Sequence, residues 1–185
     1  MPNWTRNAIT IYGDVEELKD LNHKLEYVFS KDFPYRENSW NEDWLGNVID
    51  YFKLDEKIPH RGWLDEFDLD EEYKIPNLLI VTNSAWIPAI KMWDEVCKQY
   101  KTLKYVFTAE DEFMEFAINT DVMKLFDKTR YYICPENDFE NGLCFDHYLE
   151  SRKDFKECVK ECKEKGVKYF AIRYQNKYNV EWEMR

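Results

Sequence analysis

Four consecutive aliphatic residues, Leu78, Leu79, Ile80 and Val81, leave the middle of this chain little choice. A run without polar alternation suits a strand covered on both faces, because neither side of its pleat offers a residue suited to water. Asn83 and Ser84 are expected to end the strand, and Trp86 stands in the turn beyond them. Pro88 fits the first turn of a helix, where its missing N–H is not needed. Ile90, Trp93 and Cys97 then recur at helical spacing, with Val96 and Tyr100 widening the apolar face. A buried strand leading into an amphipathic helix places the chain in the α/β or α+β class. It specifies no chemistry.

The flanking sequence extends this unit in both directions. Asn3 to Tyr12 alternates in part and reads as a strand stopped at Gly13. Asp14 is a suitable N-cap, Glu17 completes a capping box on paper, and Leu18, Leu21, Leu25 and Val28 line one helical face. His23 falls toward the polar side. Leu103–Ala109 and Phe113–Asn119 read as a hairpin around the acidic turn Glu110, Asp111 and Glu112. Arg130–Cys134 reads as a strand and Asn141-Gly142 as a turn. Lys153–Lys165 reads as a helix with Phe155, Val159 and Cys162 on one face, closed by Gly166 at C′. Val167–Tyr174 is expected to be a last strand, and Asn179–Met184 to add an edge. With 185 residues and 17% aromatic content, the chain can bury the core of one α+β domain spanning residues 1–185. Its interruption is an irregular acidic insertion at about residues 33–74. There Trp44, Val48, Ile49 and Phe52 suggest a short helix, and Asp65–Glu72 a solvated edge strand or loop.

Asn3, Trp4, Asn7 and Gly13 carry a resemblance. The opening is similar to that of the YubB-like, ferredoxin-fold family of phage and plasmid proteins, which begin with Met-Pro-Asn-Trp-Cys, an Asn, a short strand, a Gly and a helix. Here Thr5 stands in place of the Cys. The family's Thr-Ala-Trp turn, followed by prolines and a helix, resembles Asn83-Ser84-Ala85-Trp86-Ile87-Pro88. The likeness covers about the first 20 residues and, more loosely, Ile75 to Asn119. It implies a ferredoxin-like mixed or antiparallel sheet with helices packed on one face, and an origin in a mobile element. It implies no activity and no catalytic residues.

Charge narrows the function classes. The net charge of −11 argues against direct binding to nucleic acid or an anionic membrane, both of which call for a basic footprint. No apolar run approaches transmembrane length, and the opening residues lack the apolar core of a signal peptide. Five cysteines, an odd number lying mostly in expected helices and strands, suit a cytoplasmic setting. Cys134, Cys144, His147, Cys158 and Cys162 suffice in number for zinc, but no CxxC pair is present and Cys158 and Cys162 also fit an apolar helix face. No metal or cofactor is therefore expected. Cys97 lies inside a helix, away from an N-terminus that would stabilise a thiolate. His23, His60 and His147 stand in separate segments, with His60-Arg61 as the exposed pair best placed for acid–base work.

Two readings of function follow. The first is a non-enzymatic, protein-binding accessory protein of phage or mobile-element type, an acidic inhibitor or nucleic-acid mimic acting on a host factor with a basic surface in the host cytoplasm. Its contact residues would be Asp65, Glu66, Asp68, Asp70, Glu71, Glu72, Glu110, Asp111 and Glu112. The second is a metal- or His-dependent enzyme whose Cys/His or carboxylate site assembles only in the fold. Trp4 and Trp86 are expected to fill the core. A Trp86 exposed at the rim of a deep pocket would instead point to ligand binding.

Overall fold

The computed structural model describes residues 3–34, 41–113, 116–136, 143 and 147–177. Where the sequence reading takes the chain as one domain, its contacts divide into two compact units, one within Met1–Phe113 and one within Met114–Tyr178. Both mix helices with antiparallel strands, so the α+β class holds.

The first unit runs β1 (Trp4–Tyr12), α1 (Val15–Val28), α2 (Gly46–Phe52), β2 (Gly62–Asp70), β3 (Asn77–Ala85), α3 (Ile90–Cys97) and β4 (Lys104–Asp111). Its strands lie in the order β2-β3-β1-β4, each antiparallel to its neighbour. The aliphatic run is thus interior to the sheet. β3 does not stop at Asn83, because Asn83, Ser84 and Ala85 pair with Arg6, Thr5 and Trp4 of β1. Polar side chains did not break the strand, since its backbone groups find partners on both sides.

The register aligns Leu78 with Ile11, and Ile80 with Ile9 and then Phe107, on one buried face. α1 lies against β2 and β3, and α3 against β1 and β4. Leu18, Leu21, Leu25 and Val28 are fully buried, as the spacing on α1 requires. Asp14 caps α1, accepting from the N–H groups of Glu16 and Glu17. Glu17 does not complete the capping box. Its carboxylate accepts instead from the N–H and hydroxyl of Thr102, at 2.9 and 2.8 Å. Those bonds hold it below the usual carboxylate range.

The expected insertion is only partly irregular, for it contains α2 and then β2, a full strand of nine residues. The expected acidic turn is shifted, because Glu110 and Asp111 extend β4 opposite Arg6 and Thr5 and the turn begins only at Glu112.

The second unit contains β5 (Ala117–Asn119), β6 (Tyr131–Pro135), β7 (Tyr148–Leu149), α4 (Arg152–Glu164) and β8 (Tyr169–Arg173), with strand order β7-β6-β8. Its core gathers Ile133, Leu143, Leu149, Cys158 and Cys162. α4 begins at the Ser151 cap and ends in a Schellman motif. There Gly166, at φ 68°, donates to Lys163 O, and Val167 donates to Cys162 O. Asn141-Gly142 and Asn179–Met184 lie outside the described residues.

Candidate functional site

The sequence-selected carboxylates do not form one group. β2 is the outermost strand, and the start of its outer edge is occupied: Leu45 N–H donates to Gly62 O and Leu64 N–H to Asp43 O, with Trp44 bridged to Trp63. Beyond that stretch the register shifts between Leu64 and Glu66, and the acidic segment begins. Asp65, Glu66, Asp68, Asp70, Glu71 and Glu72 are all exposed.

Three of the six have work inside the molecule. Asp65 accepts from the Asn83 amide at 2.6 Å, Asp70 accepts from the N–H groups of Glu72 and Tyr73, and Glu71 pairs with Lys19 of α1 at 2.9 Å. Glu66, Asp68 and Glu72 have no side-chain partner among the described residues. Of the second cluster, Glu112 is exposed and Glu110 half-buried, while Asp111 is 4% exposed. Asp111 is therefore removed from the contact surface, because β4 turns it to the buried face beside Thr5.

The other end of β2 builds a different surface. Antiparallel pairing sets Gly62 opposite Ser84, and Ala85 N–H donates to Arg61 O at 2.8 Å. A Cβ on Gly62 would meet Asn83 O at 2.3 Å, so only glycine permits this approach. His60-Arg61 and Trp86, 25 residues apart in sequence, are thereby brought together. Trp86 is the centre of a γ-turn closed by Ile87 N–H on Ala85 O. Its φ of 67° marks the strained form of that turn, unusual for a bulky side chain.

Buried bonds hold the corner. Trp86 N–H donates to Asn3 O at 2.7 Å, and the Ser84 hydroxyl to Ile87 O at 2.7 Å. The Asn7 side-chain amide, on β1, donates to Ser84 Oγ at 2.8 Å and to Thr5 O at 3.0 Å. The indole of Trp86 is 54% exposed, against the expectation that it fills the core. The Arg61 guanidinium lies 5.0 Å over it. Trp4, by contrast, is half-buried and packs on Trp63 at 5.4 Å.

Trp86 rims a cavity of about 540 Å³, to which Lys57, His60 and Arg61 contribute cations or donors and Glu56 contributes one carboxylate. His60 Nδ1 donates to Ile58 O at 2.7 Å, leaving Nε2 as the other polar atom of its ring. The same ring meets the edge of Trp44 at 5.6 Å. The sequence offered two partial signals, an exposed His60-Arg61 pair and a tryptophan in a turn. Only the β2–β3 register joins them.

The remaining candidates stay apart. Cys158 and Cys162 belong to the second core, and burial pushes both thiols up. Cys97 is buried on α3 and pushed up to about 12 by burial, the reverse of an activated nucleophile. Cys144 lies outside the described residues. Among the described residues no three His, Cys, Asp or Glu side chains gather as metal ligands, and no helix is long and apolar enough to cross a membrane. No family model matches the chain, and neither does any curated protein or solved structure.

Proposed function

We propose that this chain is a non-enzymatic binding protein of phage or mobile-element type that engages a basic surface on a host protein through the outer strand β2. The observation that carries this reading is the row of six exposed carboxylates along and just beyond the strand at the rim of the sheet, four on β2 and two directly after it, three of the six without an internal side-chain partner. Acids on a rim strand also discourage edge-to-edge pairing with other chains, and this bland role accounts for their presence without a partner. The two roles separate in the rate of encounter. A steering surface raises association and loses that effect as salt screens it, with a screening length of about 8 Å at physiological ionic strength.

The YubB-like kinship and the ferredoxin-like fold belong to the same proposal. Their support is the strand order β2-β3-β1-β4, with α1 leading to the β2–β3 pair and α3 leading to β4. Asn3, Trp4, Asn7 and Trp86, four of the residues that carry the resemblance, meet at one corner of that sheet, while Gly13 follows the other end of β1. On this reading the protein acts in the host cytoplasm.

The test compares wild type with Glu66→Gln/Asp68→Asn/Glu72→Gln on a partner captured from host lysate. Slower association of the variant, with the gap closing at high salt, is the expected result. Equal association rates at every salt concentration would remove the acidic strand from the mechanism.

A further inference from the structure

We propose that the cavity beside Trp86 binds a small planar anion, its ring on the indole and its phosphate or carboxylate group held by Arg61 and Lys57. Four independent observations converge on this site. The first is strain. A non-glycine residue in the left-handed region is strained and persists where surrounding bonds over-determine it. Here those bonds come from Asn3, Ser84 and Asn7. The result is a large aromatic ring fixed outward instead of buried.

The second is charge. The chain carries −11 overall, yet this cavity sets the cations of Lys57 and Arg61 against the single carboxylate of Glu56. An anion reaching the site gains from a local field opposite to that of the whole molecule. The third is shape. About 540 Å³ falls within the range of small-molecule sites, and its walls combine aliphatic Ile58 and Ile87 with a few polar groups.

The fourth is stacking chemistry. Arg61 already lies over the indole at 5.0 Å, so a planar ring on Trp86 would meet a guanidinium suited to a bidentate bond with phosphate or carboxylate. His60 supplies Nε2 as a further polar contact, its tautomer set by the bond from Nδ1 to Ile58 O. The acidic strand plays no part in this argument, and either site stands without the other.

Calorimetric titration of the full chain at fixed ionic strength tests it with four probes: adenosine monophosphate, naphthoate, adenosine and inorganic phosphate. Saturable binding of the nucleotide or of naphthoate, with adenosine and phosphate each weaker by about tenfold or more, is expected. Which of the two anions binds better identifies phosphate or carboxylate as the preferred group. Arg61→Gln and Trp86→Gly should each weaken the better probe by about tenfold or more, the size of one lost charge-assisted or stacking contact. Glycine at position 86 accepts the positive φ, so a thermal midpoint that does not fall separates loss of the ring from loss of the fold. If Trp86→Gly fails to fold, Arg61→Gln and the four-probe comparison still decide. No saturable binding, equal binding of adenosine or of phosphate alone, or indifference to Arg61→Gln would overturn the proposal.

Discussion

The two ends of β2 solve opposite problems. At its acidic end the surface consists of solvated side chains on and just beyond a regular strand, and among the described residues their links reach Asn83, Lys19 and the N–H groups of Glu72 and Tyr73. At its glycine end the surface is a strained turn following β3, and its exposed ring depends on a buried amide on the adjacent strand β1. Charge can be placed on a surface with little demand on the fold. A fixed aromatic ring in an unfavourable backbone conformation needs a network behind it.

Substitutions can break this contrast, and the largest effect belongs to the network. Asn7→Ala removes the buried donor shared by Thr5 O, Thr82 and Ser84, and should cost about 1–3 kcal/mol through the loss of those buried bonds. Chemical denaturation measures the loss, and a cost near zero would show that the corner holds itself. Trp86→Gly should move stability the other way, by up to about 1 kcal/mol, if the native φ is the main strain at that position. A falling melting temperature would mean that the indole packs more than its exposure indicates. Glu66→Gln/Asp68→Asn should stay within about 0.5 kcal/mol of wild type, as surface changes away from special features do. A larger shift would give the acidic strand a structural duty.

The smallest effect concerns pH. The Glu17 pKa is lowered first by the Thr102 N–H and then by the Thr102 hydroxyl, so its folded value lies below its unfolded one. Its contribution is present above the unfolded carboxylate pKa, at about 4.3, and is lost as pH falls through the folded value. Glu17→Gln should therefore be less stable than wild type at neutral pH, with the gap closing in acid. Unfolding midpoints across that range check it, and a gap that persists in acid would point to packing instead.

What the sequence made legible follows the same divide. The buried faces of α1 and α3 and the Schellman end of α4 were readable because periodicity and capping are local rules. The exposure of the acids at 65–72 was readable because charge avoids burial. Asp111 was misread, since strand β4 extends through an apparent turn and buries a carboxylate that composition alone would leave in water. The Trp86 cavity was invisible for a different reason. It exists only where the first residues of β2 meet the last of β3, and a register is a property of two segments at once.

Arg61 stands just before strand β2, and Asp65, the first acid of the strand, comes four residues later, a path of about 13 Å at roughly 3.3 Å per residue. That is between one and two screening lengths at physiological salt, while Asp70 lies about 30 Å away. On the two proposals above, the cationic mouth would feel the near end of the anionic rail weakly and its far end hardly at all. Dilute buffer would lengthen that reach, so occupancy at one end measured there would overstate its effect on the other in the cell.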